Sequence, residues 1–285
     1  GLVQVIADAG DLVQDSGAEI SVVDGSVDLQ SVSGAVTLNS LVQANLDIAV
    51  SGAQGVLIDN SVAPTAGLLS TAQGVTVSSS SGGVTATGFL EATAGSVAVD
   101  AKLAVSTARV TAFESVTIEA GTDATLTDAV SVTGAPQGSG LVEVTADAGN
   151  LLQQAKAPVT VVDGKIDLRS VSGTVSLNSL VRSNLDIDIN ADQGIRIDNA
   201  VDLGAAVLMT GTADQPSAIT LKNTANQIFI DAPVTAQAGA IEVLNVNDDI
   251  EIRDDLAALG DLSITGKTDV KALSVADFVT LTTET

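Results

Sequence analysis

The chain writes hydrophobic and polar residues in strict alternation over short runs. In GSVDLQS, Val27 and Leu29 are separated by Asp28 and flanked by Ser26 and Gln30; in GAVTL, Val36 and Leu38 are separated by Thr37. The same beat returns at Ile48, at Val56 and Ile58, at Ile166 and Leu168, at Val175 and Leu177, and at Ile187, Ile195 and Ile197. A period of two places successive side chains on opposite faces, so each run predicts a β-strand with one buried face. Gly, Asn, Asp and Ser punctuate the runs, as turn residues do between short strands.

The pattern is written twice. Gly1–Asn60 aligns without a gap on Gly140–Asn199, 139 residues later, and 36 of the 60 positions are identical. Where the copies diverge, small or neutral residues become charged: Ser26 to Lys165, Gln30 to Arg169, Gln43 to Arg182, Ala49 to Asp188, Leu57 to Arg196. Such positions are expected to face water. The paired aliphatics, with Leu46 and Leu185 among them, are expected to face a core. Self-similarity of this strength governs the choice of architecture.

A finer period lies inside the long one. Gly-x-Val-x-Leu runs begin near Gly34, Gly55, Gly74, Gly95 and Ser115, and a second track begins near Gly25, Asn45, Ala66, Gly83, Lys102 and Asp123. Both advance by about 20 residues, without a helical segment that could cross back over a sheet. Coils of that kind stack into a parallel β-solenoid. The expectation is an all-β, right-handed parallel β-helix with little or no helix, roughly 14 coils and a length of roughly 65–70 Å at the usual strand spacing. Its parts are a first long repeat at 1–139 and a second at 140–276, each of about seven coils, and the first strand of a third at 277–285, in one continuous solenoid. "DFVTLTTE" (Asp277–Glu284) supplies that strand, with Val279 and Leu281 inward. Neither end shows a polar capping unit, so a piece of a longer array is expected.

Composition sharpens this picture. The chain is 45% hydrophobic yet 1% aromatic, which suits a narrow core built by stacking Val, Leu, Ile and Ala. Asp and Glu number 35 against 11 Lys and Arg, a formal charge of −24, which argues against nucleic-acid and anionic-membrane partners. No run of apolar residues is long enough to span a bilayer as a helix. Cysteine is absent, as suits a bacterial protein that crosses membranes unfolded.

The strings GLVQVIADAGDLVQDSGAEI, GSVDLQSVSGAVTLNSL and GSVAVDAKLAVSTARVTA resemble the repeats of filamentous haemagglutinin-type proteins, the large β-helical adhesins exported by two-partner secretion and autotransporter systems. The resemblance covers nearly the whole chain on a loose motif. It implies a right-handed β-helix at the cell surface, serving as the shaft of a giant repeat-containing adhesin in adhesion, aggregation or biofilm building. The partners expected are further copies of the repeat, joined covalently or end to end, then neighbouring fibres and cell-surface or matrix glycans. The family's secretion domain and receptor-binding tip have no counterpart in these residues.

Two kinds of chemistry compete with that reading. The segment NVNDDIEIRDD gathers Asn247, Asp248, Asp249, Glu251, Arg253, Asp254 and Asp255, and Glu251 and Arg253 share a strand face. An acid beside a base is what a carbohydrate-active β-helix enzyme would need, whether lyase or hydrolase. Against it stand an exposed ion pair as the simpler account, the scarcity of aromatic platforms and a long repeat where an enzyme needs one site. The favoured expectation is a protein that is not an enzyme, with no catalytic residue and no cofactor. For a metal, structural calcium is the candidate, on Asp186 and Asp188 of NLDIDIN or on Asp248 and Asp249. Ala49 stands where the second copy has Asp188, so such a site would not recur between copies.

Overall fold

A computed structural model describes residues 1–61, 65–136, 138–198, 206–209, 218–237, 239–270 and 278–282. Among them the alternating runs are strands, no helix occurs, and neighbouring coils pair in parallel. Through Val234–Ala236 each coil carries three strands, as in Ser26–Ser31, Ala35–Leu38 and Leu41–Ala44. The next coil, Ile48–Gly52, Gly55–Ile58 and Gly67–Ser70, lies on it in register, with Val27 against Ile48, Val36 against Val56 and Val42 against Leu68. Stacking like on like makes three walls around one aliphatic core. Val27, Leu29, Val36, Leu38 and Val42 are at most 1% exposed, and burying each such side chain contributes about 1.5–3 kcal/mol.

The outer positions also hold. Lys165, Arg169, Arg182 and Arg196 are exposed, each between buried neighbours. Leu46 and Leu185 depart from the expectation: both are half-buried, because they lie in the corner before the strands Ile48–Gly52 and Ile187–Ala191.

The coil count also differs. The third wall has 11 strands, so the expected 14 coils of about 20 residues are about 11 coils of about 22. The rod is accordingly about 50 Å long at the usual spacing. Six strands of the first wall, beginning with Leu2–Ala7 and ending with Ser115–Ala120, precede Gly140–Ala146, so a long repeat spans six coils and not seven. The overcount has a physical cause. All three walls use the same x-Val-x-Leu pattern, and the step from coil to coil ranges from 17 residues, between Leu262 and Val279, to 33, between Ile195 and Ile228. A fixed stride of 20 therefore slides from wall to wall: Gly34 and Gly55 belong to the second wall, whereas Gly74 and Gly95 precede strands of the first.

The corner between the first and second walls is built by the SVSG turn. The buried Ser31 hydroxyl donates to the Gly10 carbonyl at 2.7 Å and accepts the Gly34 N–H at 3.0 Å. Ser170 repeats this with Gly149 and Gly173 at 2.7 and 2.9 Å. Gly34 and Gly173 are required there, since a Cβ on either would lie 2.3 Å from a carbonyl oxygen of the coil below. Near the C-terminal end the long strands Ala240–Ile252 and Asp261–Val270 run through this corner and join the two walls into one 23-stranded sheet. The strand Phe278–Thr282 lies on Asp261–Thr265, pairing Val279 with Leu262 and Leu281 with Ile264. At the other end Val3 and Val5 are 37% and 43% exposed, while Val142 and Val144, their counterparts in the second copy, are covered by Ser115–Ala120 and fully buried.

Candidate functional site

The four metal-ligand candidates do not converge. Asp186 precedes the strand Ile187–Ala191; its carboxylate pairs with the Lys165 ammonium from the coil below and accepts the Ala218 N–H at 3.1 Å. Hydrogen bonding to Asp186 holds the Lys165 pKa above its ordinary value. Asp188 faces outward between Asp167 and Thr220 of the adjoining coils. Asp249 lies in another coil, where its backbone carbonyl accepts the Asn245 side chain at 2.9 Å, and the Asp248 side chain lies outside the described residues. Among the described residues no three acidic groups are arranged to hold a metal ion.

The acid beside a base in the second candidate is an ion pair. Glu251 and Arg253 share the outer face, and Arg253 Nε donates to Glu251 Oε1 at 2.7 Å. Gln227 donates to the other carboxylate oxygen at 3.3 Å. The Arg253 guanidinium lies 4.7 Å from the Phe229 ring centre, and Arg196 stacks on the same ring at 4.5 Å. Arg196 is itself paired with Asp198, with Nε at 3.0 Å. Two cations thus cover one aromatic side chain on the outer face, leaving it 9% exposed. Sequence reasoning missed this stack, although the signal is present: in IFID, Phe229 stands at the outward parity between the buried Ile228 and Ile230.

The first wall of the second copy carries charges that the first copy lacks. Glu143, Asp167 and Asp188 sit directly opposite one another in three successive coils. The equivalent column in the first copy is Gln4, Asp28 and Ala49, where Gln4 donates to Asp28 at 2.8 Å. Burial first, then the Asp188 and Glu143 carboxylates, push the Asp167 pKa above its ordinary value, and Arg169 opposes them. A carboxyl whose folded pKa is raised stabilises fully below its ordinary value of 3.8. That contribution is lost as pH rises through the raised value. Asp167→Asn should therefore raise the neutral-pH stability by about 1 kcal/mol, the scale of two like-charge cross-strand contacts. The gain should vanish below pH 3.8, and Asp28→Asn, which has Gln4 and Ala49 as column neighbours and no carboxylate, should show none. Thermal melts of both variants at pH 3 and pH 7 check this; an equal gain at both pH values would contradict it.

Beside that column, the corner after the first wall opens into a groove of 390 Å³. Arg169, Asn190 and Lys222 stand in register across three coils and line it. Asp167 and Asp192 contribute carboxylates and Val171 an apolar patch that is 43% exposed. Asp192 accepts Gln193 Nε2 at 2.7 Å and the Thr224 hydroxyl, and these bonds, Thr224 first, hold its pKa below the ordinary value. The same corner in the first copy forms a groove of 170 Å³ with an uncharged lining.

Against protein-family models, curated proteins and solved structures the chain shows no match.

Proposed function

We propose that this chain is a structural shaft segment of a long extracellular fibre or surface adhesin, which supports adhesion, cell–cell aggregation or matrix formation at the cell surface. The observation that carries the reading is the duplication itself: Gly140–Asn199 repeats Gly1–Asn60 six coils further along a single solenoid, with the strand Gly140–Ala146 stacked on Ser115–Ala120 across the junction. A repeat that joins its neighbour by ordinary strand pairing lengthens a rod without a new interface. The role is mechanical, and the chain carries no reaction of its own. Parallel ladders and a continuous aliphatic core resist local opening, while a surface charge of −24 keeps neighbouring rods apart at low ionic strength. Further copies of the repeat are the principal partners.

Electron cryo-microscopy of the native assembly on its source cells tests this. A fibre should show the strand spacing of about 4.8 Å and, from six coils, a longer axial repeat of about 29 Å. Discrete short rods, or fibres without the longer repeat, would sink the reading.

A further inference from the structure

The corner groove provides an internal comparison. Position by position, Arg169 replaces Gln30, Asn190 replaces Ser51 and Asp192 replaces Ala53, while Lys222 stands in the coil where the first copy has Ser78. The turn beneath is unchanged, since Ser170 and Ser31 make the same bonds. The same turn thus carries a neutral groove and a charged one.

The two cations of this groove are not consumed by ion pairs within the fold. Neither Arg169 nor Lys222 forms an ion pair among the described residues, although the chain has 35 acidic groups for 11 basic ones. Asp167 Oδ1 is buried and meets no donor there. A buried carboxylate oxygen without a donor is a cost to the fold. The groove therefore offers two cations about 10 Å apart, two coils being about twice 4.8 Å. Between and beside them lie an amide, two carboxylate acceptors and the apolar Val171.

We propose that this groove binds a carboxylated sugar, a uronic acid residue of an acidic polysaccharide. The sugar carboxylate pairs with Arg169 or Lys222, as charge-assisted hydrogen bonds favour. Its hydroxyls donate to Asp167 and Asp192, and Asn190 both donates and accepts. The carbon face of the ring lies on Val171, and repeated carboxylates along the polymer match the two cations. Inorganic phosphate and sulfate fit poorly: ionised, they bring acceptors for the cations and few or no donors for the two aspartates. The site does not depend on the fibre reading, because an isolated rod would bind the same way.

Titration calorimetry of the full chain with a tetramer of galacturonic acid at low salt tests it. One site per chain is expected, weakened at least about tenfold in the Arg169→Gln, Lys222→Ser double variant, on the scale of a lost hydrogen bond to a charged group. These substitutions place the first-copy residues at two exposed positions, so folding should be preserved. The reciprocal Gln30→Arg, Ser78→Lys variant should gain affinity in the first copy and approach two sites. Methyl-esterified tetramer should bind at least about tenfold more weakly by the same measure. Failure of the tetramer to bind, or binding indifferent to the double variant, overturns the proposal. So does a tetra-glutamate peptide or inorganic phosphate that binds as tightly, since either would make the groove a site of another class.

Discussion

Leu177→Asp should cost at least about 4 kcal/mol, the sum of a lost core side chain and a buried charge without a partner. Leu177 is fully buried in the second wall, between Gln153 of the coil below and Ile197 of the coil above. Neither neighbour can stabilise a carboxylate there. Ile197 is aliphatic, and the Gln153 amide group already donates to the Ala157 and Leu180 carbonyls. Ser176→Asp, one residue earlier on the same strand, is the control: Ser176 faces outward beside Arg196 and should change stability by no more than about 0.5 kcal/mol. In a solenoid each coil depends on its neighbours, so the damage should spread unevenly. Hydrogen exchange should accelerate in Leu151–Gln153 and Gly194–Asp198 while Val75–Ser79, in the other copy, keeps its protection. A wild-type melting temperature for Leu177→Asp would contradict the assigned facing.

That prediction rests on a feature the sequence displays openly. Alternation identifies the inward set because a one-residue error would bring every charge of the second copy inside. Lys165, Arg169, Arg182 and Arg196 all lie at one parity, and the structure places all four outside. Wall identity was not legible. Val56 and Val75 read alike in sequence, yet one belongs to the second wall and the other to the first, because the insertions that lengthen a coil enter at corners and leave no mark on the strands. The groove was half legible. The exchanges of Gln30 for Arg169 and Ala53 for Asp192 are visible on alignment, but their convergence needs the register that sets Arg169 beside Asn190 and Asn190 beside Lys222. Asp186 and Asp188 looked like a pair of ligands because they share a strand segment; Lys165, 21 residues earlier, takes up the Asp186 carboxylate instead.

A second large effect is expected from a residue that alternation would have called apolar. Gln153 occupies an inward position of the second wall, between Leu126 and Leu177, and is fully buried. Its Nε2 donates to the Ala157 carbonyl at 2.8 Å and to the Leu180 carbonyl at 3.1 Å, and its Oε1 accepts the Ser179 N–H at 3.3 Å. One side chain thereby bonds backbone groups of two coils at a corner of the solenoid. Gln153→Ala removes those partners and leaves a void, so a loss of about 3 kcal/mol is expected. Gln153→Met separates the two terms: it refills most of the volume without restoring the donors, and should recover less than half of the loss. The first copy supplies the comparison. Gln14 makes the same two donations, to Ala18 at 2.7 Å and to Leu41 at 3.4 Å, but its Oε1 is without a partner. With one bond fewer and one long, Gln14→Ala should cost about 1 kcal/mol. Chemical denaturation of the three variants measures the order. If Gln153→Met matched the wild type, the corner would be held by packing alone and the amide would be a passenger in the core.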